Sequence, residues 1–362
     1  MKQFLRKNGA WLGFLVLAII LTIWTGGDFL SPRNLTNLIR QASLNGILAA
    51  GMTVIILTGG IDLSVGSVVA LCGVVVGLSQ VNMGLGAQGD FGLWASALIA
   101  VIVGLILGLV NGVLIATLRL APFVITLGMM VIARGLAMIF SGGSSISPMG
   151  EGLNTLASGY FSETPSLIFL VVLALVALWL LRKKRTSFQD FLFPILAFIL
   201  FAQSFVRYKG FPYLAVFLFA TVGIVWMILN RTVLGRNLYA IGSNEKGAYW
   251  AGVSIKSVKI SAYAIMGLLS GLAAFLLSGR LNGADPNAGQ LFELDAIAAV
   301  VIGGVSLKGG AGSVLGSLIG ALTMATLNNG MDLLGVSSFY QMVFKGIIII
   351  LAVSLDRSQR EA

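Results

Sequence analysis

The chain has 362 residues, of which 57% are hydrophobic and 10% charged, with a mean hydropathy of +0.98. No ordinary globular core hides that much apolar surface, so the composition excludes a soluble domain and defines an integral membrane protein. The absence of His and the single thiol, Cys72, exclude imidazole proton relays, zinc clusters and an internal disulfide. A net charge of +10 without a soluble basic face reads as a cytoplasmic excess of cations rather than a nucleic-acid surface.

Apolar runs predict twelve spans, near 10–26, 39–57, 63–80, 93–117, 122–140, 166–181, 191–206, 213–229, 260–279, 293–307, 312–328 and 339–355. The first follows Lys2, Arg6 and Lys7 but is too long for a signal peptide and lacks a cleavage site, so it reads as an uncleaved span. With the N-terminus inside, sixteen of the twenty-three basic residues fall on the cytoplasmic side, against Arg33, Arg207, Lys209 and Arg280 outside. This bias places both termini in the cytoplasm. The fold class is therefore all-α and polytopic, a single membrane domain over 1–362.

The second span carries Gln41 and Asn45, and Asp62 follows flexible glycines just before the third. The fourth holds Gly104, Gly108 and Gly112, one helix face, together with Asn111, and the fifth holds Thr126. The 141–166 loop contains no Lys or Arg and is rich in Ser and Gly, as expected of an external loop. Segment 293–307 is short and carries Glu293 and Asp295, so it could be broken or re-entrant. Gly312, Gly316 and Gly320 repeat the four-residue glycine spacing, and Asn328 and Asn329 close that span. The stripes at 104–112 and 312–320 suit an inverted duplication, whereas "GGIDLSVGSV" from Gly59 and "GGVSLKGGAGSV" from Gly303 suit a parallel one. An internal duplication is expected, with its handedness open.

Chemistry is sparse. No G-x-x-x-x-G-K-[ST] loop is present, so the chain is not its own ATPase, and neither catalytic triads nor metal clusters can be built. The sequence predicts no enzyme and no cofactor bound by this chain. Gln41, Asn45, Asn111, Thr126, Asn328 and Asn329, with Asp62, are the candidate lining of a pathway for a neutral, hydroxyl-rich solute. The competing reading for each is interhelical hydrogen bonding. Arg40, Glu293 and Lys345 read as paired or interfacial charges.

The longest cytoplasmic basic segment, 230–259, contains "GSNEKGAYWAG" (242–252). Ser243 or Asn244 can cap a two-turn helix, Glu245 suits its first turn and Gly252 can end it. Such a helix either rests Tyr249 and Trp250 in the headgroups or docks a soluble partner.

"AIGSNEKGAYWAGV" (240–253) resembles the cytoplasmic loop of the permeases of ATP-binding-cassette sugar importers, the ribose/xylose/galactose branch, where G-x-N-x-x-A-A-x-x-S-G-I is usual. Gly242, Asn244, Ala248 and Gly252 match, while Gly247, Ala251 and Val253 depart from it. "LTGGIDLSVGSVVAL" (57–71), "FELDAIAAVVIGGVSLKGGAGSVLGSLIGAL" (292–322) and "NNGMDLLGVSSFYQMVFKGIIIILAV" (328–353) are similar to stretches of the same family. The resemblance implies a ten-span core whose two copies form the pathway, an ATPase using ATP and Mg at each cytoplasmic loop, and an external sugar-binding protein. It also implies a bacterial cytoplasmic (inner) membrane and an ATPase-coupling role for Gly242, Asn244, Ala248 and Gly252, to which the first-turn Glu245 is added as a coupling candidate. The 166–206 pair is extra to that core and brings the chain nearest to xylose-type members. An ion-coupled secondary transporter and a passive channel are the rivals.

Overall fold

The computed structural model describes residues 2–182 and 208–361. The helices are α1 (Lys2–Trp24), α2 (Pro32–Leu57), α3 (Val65–Gly77), α4 (Gly89–Leu118), α5 (Pro122–Ser141), α6 (Glu151–Ser158) and α7 (Glu163–Arg182). After the undescribed segment come α8 (Tyr213–Arg231), α9 (Val233–Ser243), α10 (Glu245–Trp250), α11 (Ile255–Leu281), α12 (Phe292–Ile302), α13 (Val314–Leu333) and α14 (Ser338–Glu361). The predicted 191–206 span, and with it most of the extra pair's second half, lies outside the described residues.

Among the described residues there is no strand, only the isolated bridges Ile146 to Ala284 and Tyr160 to Pro212. Six helices there are long and apolar enough to cross a membrane: α2, α3 with its continuation to Asn82, α4, α5, α8 and α11. The all-α polytopic expectation holds. Between its ends a helix satisfies its backbone donors within itself, which is what hydrocarbon demands.

α2 is the central element, packed by α8, α11, α12 and α13. Its Leu48, Met52, Ile55 and Ile56 are at most 1% exposed, whereas Ile102 and Ile106 on α4 and Val131 on α5 face outward. The glycine stripe of α4 meets α11 directly. A Cβ at Gly104 would strike the Gly267 and Gly271 backbone, and one at Gly112 would strike Ile260. Gly108 lies against Tyr263 and Gly267 in the same way. Side chains there would push the helices apart, so the stripe sets their spacing.

The second stripe differs from the expectation. Gly316 packs on Gly303 and Gly320 on Ala299, joining α13 to α12, but Gly312 lies before the helix against Val305. Ser313 is the reason: its hydroxyl accepts from Gly316 N–H at 3.1 Å and caps α13 one residue later.

The 293–307 segment, which the sequence left open as broken or re-entrant, is shorter than a span. α12 has 11 residues, about 16 Å, or roughly half of a bilayer's hydrocarbon core. The loop before it turns inward: Arg134 of α5 donates to the carbonyls of Pro286 and of Ala288, the latter at 3.0 Å. Gly289 then packs on Gly66, and the Glu293 carboxylate also reaches Gly66. The first turns of α3 and α12 therefore face one another inside the bundle.

Candidate coupling site and polar clusters

Three short sequence signals build the element within 230–259. Thr232 ends α8 and caps α9, its hydroxyl accepting from Gly235 N–H at 3.2 Å. Asn244 ends α9 and caps α10, accepting from Gly247 N–H at 2.9 Å. Gly252, at φ +83°, closes α10 in the left-handed geometry that suits glycine, and Val253 N–H returns to the Ala248 carbonyl at 3.0 Å. Of the two capping options in the sequence, Asn244 is the one used; the Ser243 hydroxyl instead donates to the Tyr239 carbonyl at 2.9 Å.

α10 is therefore a six-residue helix with one buried anchor, Ala248. Tyr249 is 66% and Trp250 84% exposed, their rings edge-on at 5.9 Å. Glu245 pairs with Lys259 of α11 at 2.9 Å, which ties the start of α10 to the next helix. Lys259 was not among the residues picked out for this role, although fourteen residues separate the pair and only the turn at 251–254 brings them together.

Gly242 has the closest surroundings. A Cβ there would collide with the Leu57 carbonyl, at the end of α2, and with the Gly310 amide. Gly310 N–H itself donates to the Leu57 carbonyl at 3.0 Å. One turn back on α9, Tyr239 donates from its hydroxyl to the Gly312 carbonyl at 2.9 Å, and burial raises its phenol above the usual tyrosine range, so it stays a donor. The glycine-rich echoes at 59 and 303 thus touch each other, since Gly59 lies against the Lys308 carbonyl, and the second echo and the end of α2 both touch α9. Tyr239 was not singled out in the sequence; its helical spacing from Gly242 was the available signal.

The candidate pathway residues separate into groups. Asp62 accepts from Ser64 N–H at 2.8 Å and from the Ser64 hydroxyl at 2.6 Å, and Asn111 donates to that hydroxyl at 3.0 Å. Thr126, 0% exposed, turns back to its own helix at the Pro122 carbonyl, 3.1 Å. Tyr263, absent from the sequence selection, closes this group by donating to the Ile61 carbonyl at 3.3 Å. Asn329 sits elsewhere, in a reciprocal amide pair with Asn34 at 2.9 Å each way.

Asn328 donates to Asp295 Oδ2 at 3.3 Å, and Lys345 reaches the same oxygen at 2.9 Å. Asp295 Oδ1 and Asn328 Oδ1 are buried without a hydrogen-bond partner among the described residues. Gln41 and Asn45, one turn apart on α2, are half-buried. Among the described residues there is no group of His, Cys, Asp and Glu able to hold a metal.

Apolar helices around one buried α2, an indented half-length α12 and a short helix seated against the end of α2 and a glycine turn define a polytopic membrane protein. Comparison with known proteins makes the class specific. Residues 34–353 match the family described as branched-chain amino acid transport system / permease component, and the chain belongs to that family. It is 41% identical over 361 residues to a ribose import permease of Bacillus subtilis (strain 168), covering 98% of this chain and 94% of the relative. A xylose transport system permease of Haemophilus influenzae is 36% identical over 366 residues, with 97% and 96% coverage. A ribose import permease of Escherichia coli (strain K12) is 37% identical over 364 residues, with 99% and 96% coverage. No solved structure matches the chain. The protein is a multi-pass permease of the bacterial cytoplasmic membrane.

Proposed function

We propose that this chain is the membrane-spanning subunit of an ATP-driven importer that admits a neutral monosaccharide, a pentose such as ribose or xylose. ATP and Mg are used on a separate ATPase subunit, an external binding protein delivers the sugar, and two copies of the chain enclose the pathway. The observation that carries this reading is the wedging of Gly242 between the end of α2 and the 309–310 turn. A partner gripping the exposed face of α10 can thereby displace the loops from which α3 and α13 start. Gly242, Asn244, Glu245, Ala248 and Gly252 are the coupling residues: Asn244 and Gly252 delimit α10, Ala248 anchors it, Glu245 ties it to Lys259, and Gly242 passes its motion on.

The names of the relatives, ribose and xylose permeases at 41% and 36% identity, support a pentose without separating the two sugars. Polar groups along the bundle suit such a solute. Gln41, Asn45 and Asn328 are half-buried amides, able to exchange hydrogen bonds with hydroxyls at no net charge. Asp62, Asn111, Thr126 and Asn329 are fully buried and bonded within the bundle, so they contribute as internal fasteners of the wall.

An ion-coupled carrier is the second reading, favoured by the buried Asp295–Lys345 pair. Uptake of labelled ribose and xylose into proteoliposomes separates the two. The importer reading expects uptake only with internal ATP, the ATPase and the binding protein together. Uptake driven by an ion gradient alone, or by no energy source, overturns it.

A further inference from the structure

Beneath α10 lies a groove of about 780 Å³, lined by Ile115, Ala116, Arg119, Leu120 and Pro122 from the α4–α5 turn and by residues of α10 and the start of α11. Its lining includes Arg119, Lys246, Lys256 and Lys259 against one carboxylate, Glu245. That carboxylate is already taken up by Lys259 at 2.9 Å. Among the described residues Arg119, Lys246 and Lys256 have no ion-pair partner. Three uncompensated cations thus line a cavity together with apolar residues of the α4–α5 turn and with Tyr249 and Trp250.

The surface leading away from the groove is equally specific. At 100° per residue, Ile102, Ile106, Leu109 and Val113 fall on the side of α4 that Ala116 continues into the groove. They are 43%, 52%, 37% and 42% exposed, an unbroken apolar strip. From Val113 to Ile102 the strip runs about 16 Å, close to the thickness of one leaflet's hydrocarbon. Cations at one end and a leaflet-length apolar strip at the other match a phosphate headgroup with its acyl chains. The strip alone is the outward face of a membrane-crossing helix; its meeting with three unpaired cations at one end is what favours a lipid over a protein partner.

We propose that this groove binds one anionic phospholipid of the cytoplasmic leaflet, its phosphate among Arg119, Lys246 and Lys256 and its acyl chains along α4. The bound lipid would fill the space between α10 and the α4–α5 turn. It would hold α10 at a fixed height above the membrane, leaving the cytoplasmic side of Tyr249 and Trp250 free.

The test places the full chain in phosphatidylcholine vesicles and titrates brominated phosphatidylglycerol or brominated phosphatidylcholine at equal mole fraction. The Trp250 signal is isolated by subtracting the Trp250→Phe variant. Brominated phosphatidylglycerol should quench that signal at lower mole fraction than the zwitterionic lipid. Each of Arg119→Gln and Lys256→Gln should reduce the preference about fivefold, the worth of one cation near a membrane surface; neither change touches the Glu245–Lys259 pair. Equal titrations with the two lipids in the unaltered chain overturn the proposal without use of any variant. A preference that keeps its full size when both substitutions are combined also overturns it, since the anionic lipid would then sit elsewhere; the remaining Lys246 accounts for a small residual preference. A Trp250 response to added ATPase but not to lipid charge would assign the groove to the protein partner instead.

Discussion

At the scale of single residues, the ion pair of Lys345 and Asp295 is the most exacting feature of the membrane interior. The two side chains are 16% and 4% exposed and 2.9 Å apart, so neither charge has much water to fall back on. Removing Lys345 alone leaves the carboxylate with Asn328 at 3.3 Å as its remaining side-chain partner. Breaking one side of a buried pair typically costs about 3–5 kcal/mol, whereas replacing both by neutral groups of similar size costs little. Lys345→Met should therefore lower the thermal unfolding temperature of the detergent-solubilised protein strongly, and Asp295→Asn with Lys345→Met should recover most of the loss. Equal losses in the single and double variants would show that the lysine stem, and not the pair, carries the stability. The charges themselves were legible in the sequence; their pairing was not, because 50 residues separate them and periodicity along one helix says nothing of its neighbour.

Among the elements, α10 shows how far local signals reach. Its cap, first-turn carboxylate and closing glycine could all be read from "SNEKGAYWAG", because caps depend on neighbours within four residues. Gly247, where the family's alanine would make a better helix, is explained by the cap: a Cβ there would lie 3.1 Å from Asn244 Nδ2 and 3.2 Å from its Cγ. Alanine would gain about 1 kcal/mol of propensity while crowding the side chain that holds the first turn. Asn244→Ala, which removes the cap outright, should cost about 1 kcal/mol and speed amide exchange at Gly247 about fivefold, with exchange in α4 unchanged. Unaltered exchange at Gly247 would show that the Glu245–Lys259 tie, and not the cap, holds α10. For α12, the sequence marked a short segment open to a break but not the point where the helix ends. Its apolar run continues through Val305, yet the helix stops at Ile302 because Gly303 and Gly304 turn the chain so that Gly316 can pack on Gly303, a tertiary demand that hydropathy does not register.

For the whole molecule, the apolar runs foretold an all-helical bundle, and the glycine spacing on α4 foretold a close helix contact without naming α11 as the partner. What the linear order concealed is that residues 57–59, 242 and 308–310 form one knot. Three segments so far apart meet only because α2, α9 and the α12–α13 hairpin all end at the same level of the bundle. This knot carries the coupling proposal, and Gly242 is where the two can be separated. Alanine there already requires the Leu57 carbonyl and Gly310 amide to move, at about 1–3 kcal/mol for overpacking; valine requires more. Neither substitution alters the exposed face of α10. Gly242→Val should therefore keep the ATPase bound at its normal yield while sugar uptake per ATP hydrolysed falls sharply. If uptake and hydrolysis stay in their original ratio, motion passes from α10 to the bundle by another route, and the tie between Glu245 and Lys259 of α11 becomes the one to cut.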